Sequence, residues 1–184
     1  MSKKINEESI LHLFFRDPAE RHLRGIAREL AINPTTARKY LDSYVAQGLL
    51  TSRTERGDLL FRPAEENPMF RLLKRQWTVR TVIESGLVAY LEHELASPTV
   101  VLFGSKAKGE DVPGSDLDLF IIAETKRPLR LDAFERRLGC PIQVFLHTRP
   151  EFKRLRKTSP ELVNNVLNGT ILAGYVDVSS ARRS

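Results

Sequence analysis

An apolar run at residues 100–103 ends in Gly104-Ser105. The chain then crosses a polar stretch and re-enters an apolar run that carries two carboxylates, Asp116-Leu117-Asp118-Leu119-Phe120-Ile121-Ile122. This pattern limits the fold more than any other part of the chain. It reads as a buried strand, a tight turn, a polar loop and a second strand. Asp116 and Asp118 are two residues apart, so on a strand both side chains leave the same face. Like charges on one face repel unless a cation sits between them. Mg²⁺ suits such a pair, because it takes a few carboxylates together with substrate phosphates. A glycine directly after an apolar strand lets backbone N–H groups approach a phosphate, and the Ser105 hydroxyl adds a donor. The residues themselves therefore point to a site for a metal-bound nucleoside triphosphate.

The run Gly104-Ser105-Lys106-Ala107-Lys108-Gly109, followed by Ser115-Asp116-Leu117-Asp118-Leu119, resembles the signature of minimal nucleotidyltransferases of the DNA polymerase β superfamily. The resemblance implies a small mixed-sheet domain over residues 97–184 that binds NTP with Mg²⁺ as cofactor. Asp116 and Asp118 would be the catalytic, metal-holding acids. Gly104, Ser105 and Ser115 would grip the nucleotide, and Lys106 or Lys108 would neutralise phosphate charge. Downstream, residues 131–138 read as a helix ended by Gly139, and residues 141–146 as a third strand. In active members of the superfamily a third acid sits on that strand. Here the matching position holds Gln143, whose amide oxygen can touch a metal but brings no charge and takes no proton. Glu124, Asp132 and Glu135 are nearby acids that no motif assigns to the site. Residues 150–175 read as helices, residues 178–184 as a frayed end.

The first third carries a different pattern. Ile10, Leu11, Leu13, Phe14 and Phe15 predict a helix stopped at Asp17-Pro18, and Leu23, Ile26, Ala27 and Leu30 predict a second. Asn33-Pro34 suits the start of a third, from Pro34 to about Gln47, ended by Gly48. A strand from Leu49, a polar turn over residues 53–58 and a strand through Phe61 complete a hairpin. Three helices and a hairpin resemble a winged helix-turn-helix domain, placed at residues 1–62. That resemblance implies double-stranded DNA as a partner. Thr35, Thr36, Arg38 and Lys39 would face a major groove, and Arg53 and Arg56 in the wing would reach phosphate or minor groove. Between the two domains, residues 63–96 read as a short linker and a helix over residues 69–95, about 40 Å long if unbroken, with a bend at Ser85-Gly86. Its apolar content makes it the candidate interface of a homodimer.

A chain of 184 residues holds one large or two small domains, its composition is that of an ordinary soluble globular protein, and the two resemblances together imply an α+β fold. Residues 1–8 lack the apolar stretch of a signal peptide, and no run is long enough to cross a membrane. Cys140 stands alone, which fits a reducing cytoplasm. The net charge of +6 permits nucleic-acid binding and is divided evenly, with 11 Lys/Arg against 8 Asp/Glu in residues 1–62 and 18 against 15 beyond. The expected function is a DNA-binding protein whose nucleotidyltransferase domain binds NTP–Mg²⁺ and transfers a nucleoside monophosphate to a hydroxyl. By analogy this extends to an antitoxin-like protein that modifies a toxin partner. The competing expectation, raised by Gln143, is a transcription regulator whose nucleotidyltransferase fold has lost catalysis and serves as a nucleotide sensor.

Overall fold

A computed structural model describes residues 8–177. The expectations for residues 1–7 and 178–184 lie outside that range. The described chain divides into two compact units. One holds the residues through Trp77 together with Gly109–Pro113; the other holds Thr78–Lys108 and the residues from Gly114 on. Among the described residues no helix is long and apolar enough to cross a membrane.

The first unit runs α1 (Glu8–Arg16), β1 (Arg21–His22), α2 (Leu23–Glu29), α3 (Pro34–Ala46), β2 (Leu50–Glu55) and β3 (Asp58–Pro63), then enters α4 (Pro68–Glu84). The helices form where the apolar spacing predicted them. α1 buries Ile10, Leu11, Leu13, Phe14 and Phe15, and α3 buries Ala37, Leu41 and Tyr44. Asn33 caps α3 by accepting the Thr35 N–H at 2.8 Å. Phe70 of α4 is 1% exposed in the same core, its ring 5.2 Å from that of Phe15.

Two features depart from expectation. The two-residue strand β1 pairs with β3, so the sheet is three-stranded in the order β1-β3-β2. Two polar residues are too short a signal to read. The turn is also narrower than residues 53–58. Glu55 pairs with Asp58, leaving only Arg56 and Gly57 in the turn, at φ +50° and +85°. Positive φ at both positions is the two-residue hairpin geometry that matches strand twist. From Thr51 to Glu55 every side chain of β2 is exposed, so no alternation marks it as strand.

The expected helix over residues 69–95 is two helices, α4 and α5 (Leu87–Leu95). The break falls at Ser85-Gly86, where Gly86 has φ +81° and Ser85 Oγ accepts the Leu87 N–H. The boundary between the units falls within α4, after Trp77.

The second unit is a four-stranded sheet, β6-β5-β4-β7, of β4 (Thr99–Phe103), β5 (Leu117–Ile122), β6 (Ile142–His147) and β7 (Thr170–Ala173). β5 runs antiparallel to β4 and parallel to β6. Both central strands are buried on two faces. On one face Val100, Leu102, Leu117, Leu119 and Ile121 pack with α5 and with α6 (Asp132–Leu138). On the other, Val101, Phe103, Phe120 and Ile122 pack with α7 (Arg149–Thr158) and α8 (Pro160–Leu167). Residues 150–175 are therefore not all helical. Ile171 and Leu172 lie in β7, paired with β4. Gly169 precedes this strand because any Cβ there would come within 2.4 Å of the Leu102 carbonyl.

Candidate nucleotide site

β4 delivers Phe103 opposite Asp118 of β5. The chain leaves β4 through Gly104 at φ +75°, then turns over residues 105–108, with Lys108 N–H donating to the Ser105 carbonyl at 3.0 Å. Ala107 is 2% exposed and anchors the turn in the apolar core. Gly104 has a reason beyond its φ. A Cβ there would lie 2.1 Å from Asp118 Oδ2. The carboxylate of Asp118 therefore occupies the space that any other residue at position 104 would fill.

The electrostatics of Asp118 follow from that seat. Burial pushes its pKa above the ordinary aspartate value, the neighbouring charge of Asp116 pushes it further, and Lys106 opposes both. Asp116 is exposed at the entry to β5, Ser115 is partly buried beside it, and Lys108 is exposed. The structure thus brings Gly104, Asp118, Asp116 and Lys106 into one neighbourhood. Two carboxylates under mutual repulsion, one partly desolvated, match the donor set that a triphosphate-bound Mg²⁺ takes.

Gln143 stands in register with Asp118 on the adjacent parallel strand and is exposed. Directly paired positions share a face, so Gln143 lies beside Asp118, at the position where the resemblance leads one to expect an acid. None of the three nearby acids replaces it. Glu124 pairs with Arg149 at 2.8 Å, and Glu135 accepts the Ile142 N–H at 2.9 Å. Asp132 is in the first turn of α6, which packs on the face of the sheet away from Asp118, Phe120 and Ile122. Among the described residues no three His, Cys, Asp or Glu side chains gather to hold a metal ion. The donors present suit one cation carried with a triphosphate and offer little to a second.

In the first unit Thr35, Thr36, Arg38 and Lys39 are all exposed on α3, and Arg56 is exposed in the hairpin turn. Arg38 Nε is 3.4 Å from Asp42, an exposed pair one turn along the helix. Arg53 differs from the others. Its Nε and Nη2 donate to the two carboxylate oxygens of Glu20 at 2.8 and 2.6 Å, and Nη1 is 2.8 Å from Glu55. Glu20 is 33 residues away in sequence, and nothing in its surroundings marks it as a partner. Arg53 is exposed, yet two carboxylates of the same chain already neutralise its charge.

Residues 86–175 match the family model described as Polymerase beta, Nucleotidyltransferase. The match spans α5, all four strands of the second sheet and both halves of the Gly-Ser and Asp-x-Asp signature. Among solved structures, a crystal structure of Sso10a-2, a DNA-binding protein from Sulfolobus solfataricus, is similar over 49% of this chain and 96% of its own, with 20% identity and a TM-score of 0.36. At that score it carries no argument. No curated protein matches the chain.

Proposed function

We propose that the protein binds a nucleoside triphosphate with Mg²⁺ at the Gly104–Asp118 site and binds DNA through residues 1–62, with nucleotidyl transfer weakened by Gln143. The observation that carries this reading is the seat of Asp118. A partly buried carboxylate is held against a glycine that exists to admit it, beside a second carboxylate and a lysine. Such an arrangement is costly in a protein with no cation to bind. Asp116 and Asp118 would hold the Mg²⁺, which supplies charge stabilisation to the phosphates when bound. The turn at Gly104 and Ser105 would present donors to the phosphate oxygens, while Lys106 and Lys108 add positive charge. In transfer, an acceptor hydroxyl would attack the α-phosphorus and pyrophosphate would leave. The hydroxyl proton needs a base, and Gln143 cannot take it.

What supports the DNA half of the reading is the element order α1-β1-α2-α3-β2-β3 with a three-stranded antiparallel sheet, the order of a winged helix, and the four exposed residues on α3. A homodimer through α4 is part of the proposal, on the exposure of Met69, Leu72 and Ile83 along that helix. A second reading, a working transferase, is favoured by the complete Gly104-Ser105 and Asp116-x-Asp118 set. Incubation with each labelled NTP, Mg²⁺ and cell extract separates the two. Bound but untransferred nucleotide supports the sensor. Label on a nucleic acid or on a toxin-like protein supports the transferase and identifies its acceptor.

A further inference from the structure

Lys74 and Asp111, 3% and 7% exposed, are the charged residues buried among those described. Lys74 Nζ donates to the Asp111 carbonyl at 2.5 Å and is 3.2 Å from its carboxylate. Buried ion pairs are poor stabilisers compared with apolar side chains of similar size, and their best-attested use is to fix one arrangement of the chain. Here the fixed segment is the loop that joins the two halves of the nucleotide signature. Its neighbours are pinned to the same helix. Gly109 has φ +73°, and a Cβ there would lie 2.2 Å from the Arg71 carbonyl. Arg71 Nη1 is 3.4 Å from Glu110. Arg71 and Lys74 belong to the half of α4 that carries Phe70 into the helical core. The chain thus leaves the second unit after Lys108, is held in the first over Gly109–Pro113, and returns at Gly114. Lys108 and Ser115, at the ends of this excursion, are residues of the proposed nucleotide site.

We propose that Gly109–Pro113 is a tether through which the helical unit reads nucleotide occupancy, so that NTP–Mg²⁺ and DNA bind with reciprocal positive linkage carried by the Lys74–Asp111 pair. The inference rests on both the nucleotide-binding and the DNA-binding readings above. A bound triphosphate fixes both ends of the loop. The ion pair already fixes the middle of this loop, so holding its ends removes the motion left to residues 109–113 and to the α4 stretch that grips them, and the second ligand meets a stiffer unit. Linkage requires the converse, that DNA tightens nucleotide binding by the same factor.

The test is hydrogen exchange on the full chain with and without MgATP, MgGTP, MgCTP or MgUTP, with nucleotide binding followed by calorimetry in parallel. The expected result is slower exchange over Gly109–Pro113 and residues 68–77 when nucleotide is bound. The same nucleotide should raise affinity for a mixed-sequence DNA duplex at low salt by about 5-fold or more. Lys74→Met combined with Asp111→Leu, which removes both charges, should keep nucleotide binding and lose the remote protection and the DNA effect. Gly109→Ala disrupts the same tether by a different route and serves if the double variant does not fold. Nucleotide binding with protection confined to residues 104–108 and 115–118 overturns the tether and leaves the nucleotide reading standing. So does an unchanged DNA affinity, or linkage that survives in both variants. Absence of nucleotide binding, or of DNA binding under every condition, overturns the reading on which the tether rests and the tether with it.

Discussion

The charged groups of the two units are used in opposite ways. On the hairpin of the first unit, Arg53 is satisfied by Glu20 on one side and Glu55 on the other, and its pKa is raised by those partners. In the second unit, Asp118 is pressed against Gly104 beside Asp116, partly desolvated, with its pKa raised by burial and by repulsion. The sequence marks both as site residues by type and position. The structure separates them. A charge whose demands are met inside the chain has little left for a ligand, whereas a charge held in an unfavourable place has its compensation still to come.

The largest effect expected from this contrast is on nucleotide binding. Asp118→Ala should cost several kcal/mol of NTP–Mg²⁺ affinity, the scale of a lost metal-held charge interaction. Transfer is the next largest. Gln143→Asp places a carboxylate in register with Asp118 and should raise labelled nucleotide transfer on the order of 100-fold, the lower range for a positioned base. Indifference to position 143, with robust transfer by the wild type, would show that another acid serves.

Gly104→Ala sharpens the comparison at the backbone. The added methyl collides with Asp118 in a left-handed conformation, so stability should fall by about 1–3 kcal/mol and nucleotide affinity should fall with it. Thermal melts and titrations on the same preparation would check both.

On the DNA side, neutralising Arg38 and Lys39 together should lower affinity and reduce the salt slope by about 2. Arg53→Ala should change affinity less than either of those substitutions alone. Glu20→Gln, which leaves Arg53 with Glu55 as its one charged partner among those named, should strengthen binding, and fluorescence anisotropy across a salt series measures all three. An Arg53→Ala loss equal to that of Arg38→Ala would break the contrast.

The smallest effect is a dependence of stability on pH. The folded state holds the Asp118 proton more tightly than the unfolded chain. The ionised group therefore destabilises the nucleotide-free protein increasingly as pH rises from the ordinary value of 3.8 to the raised folded value. Asp118→Asn is free of this penalty. Its melting temperature should overtake that of the wild type through that window and stay above it at neutral pH. Nucleotide binding by the wild type should weaken as pH falls through the same raised value.

What could be read in advance was local. The helices of the first unit follow from apolar spacing, and the Asn33 cap and the Gly104-Ser105 turn follow from residue type at one position. Asp116 and Asp118 follow from a spacing of two. β1 and β7 were missed because two and four residues carry no period that excludes a helix or loop. The polar end of β2, exposed on both faces, shows no alternation and so reads as turn. The pairings that decide how the sites work join distant positions: Glu20 with Arg53, Lys74 with Asp111, Asp118 with Gln143. No pattern in the intervening residues encodes them. Gln143 alone was found in advance, because the resemblance supplied a position at which an acid was expected.

The claim that Asp118 is held ready for a cation and a triphosphate is tested most directly by calorimetry of each NTP with Mg²⁺ at neutral pH, on the wild type and on Asp118→Asn. The account predicts saturable binding to the wild type that requires both Mg²⁺ and nucleotide, and its loss in a variant at least as stable to heat. Equal binding to both proteins, or none to either, would contradict it.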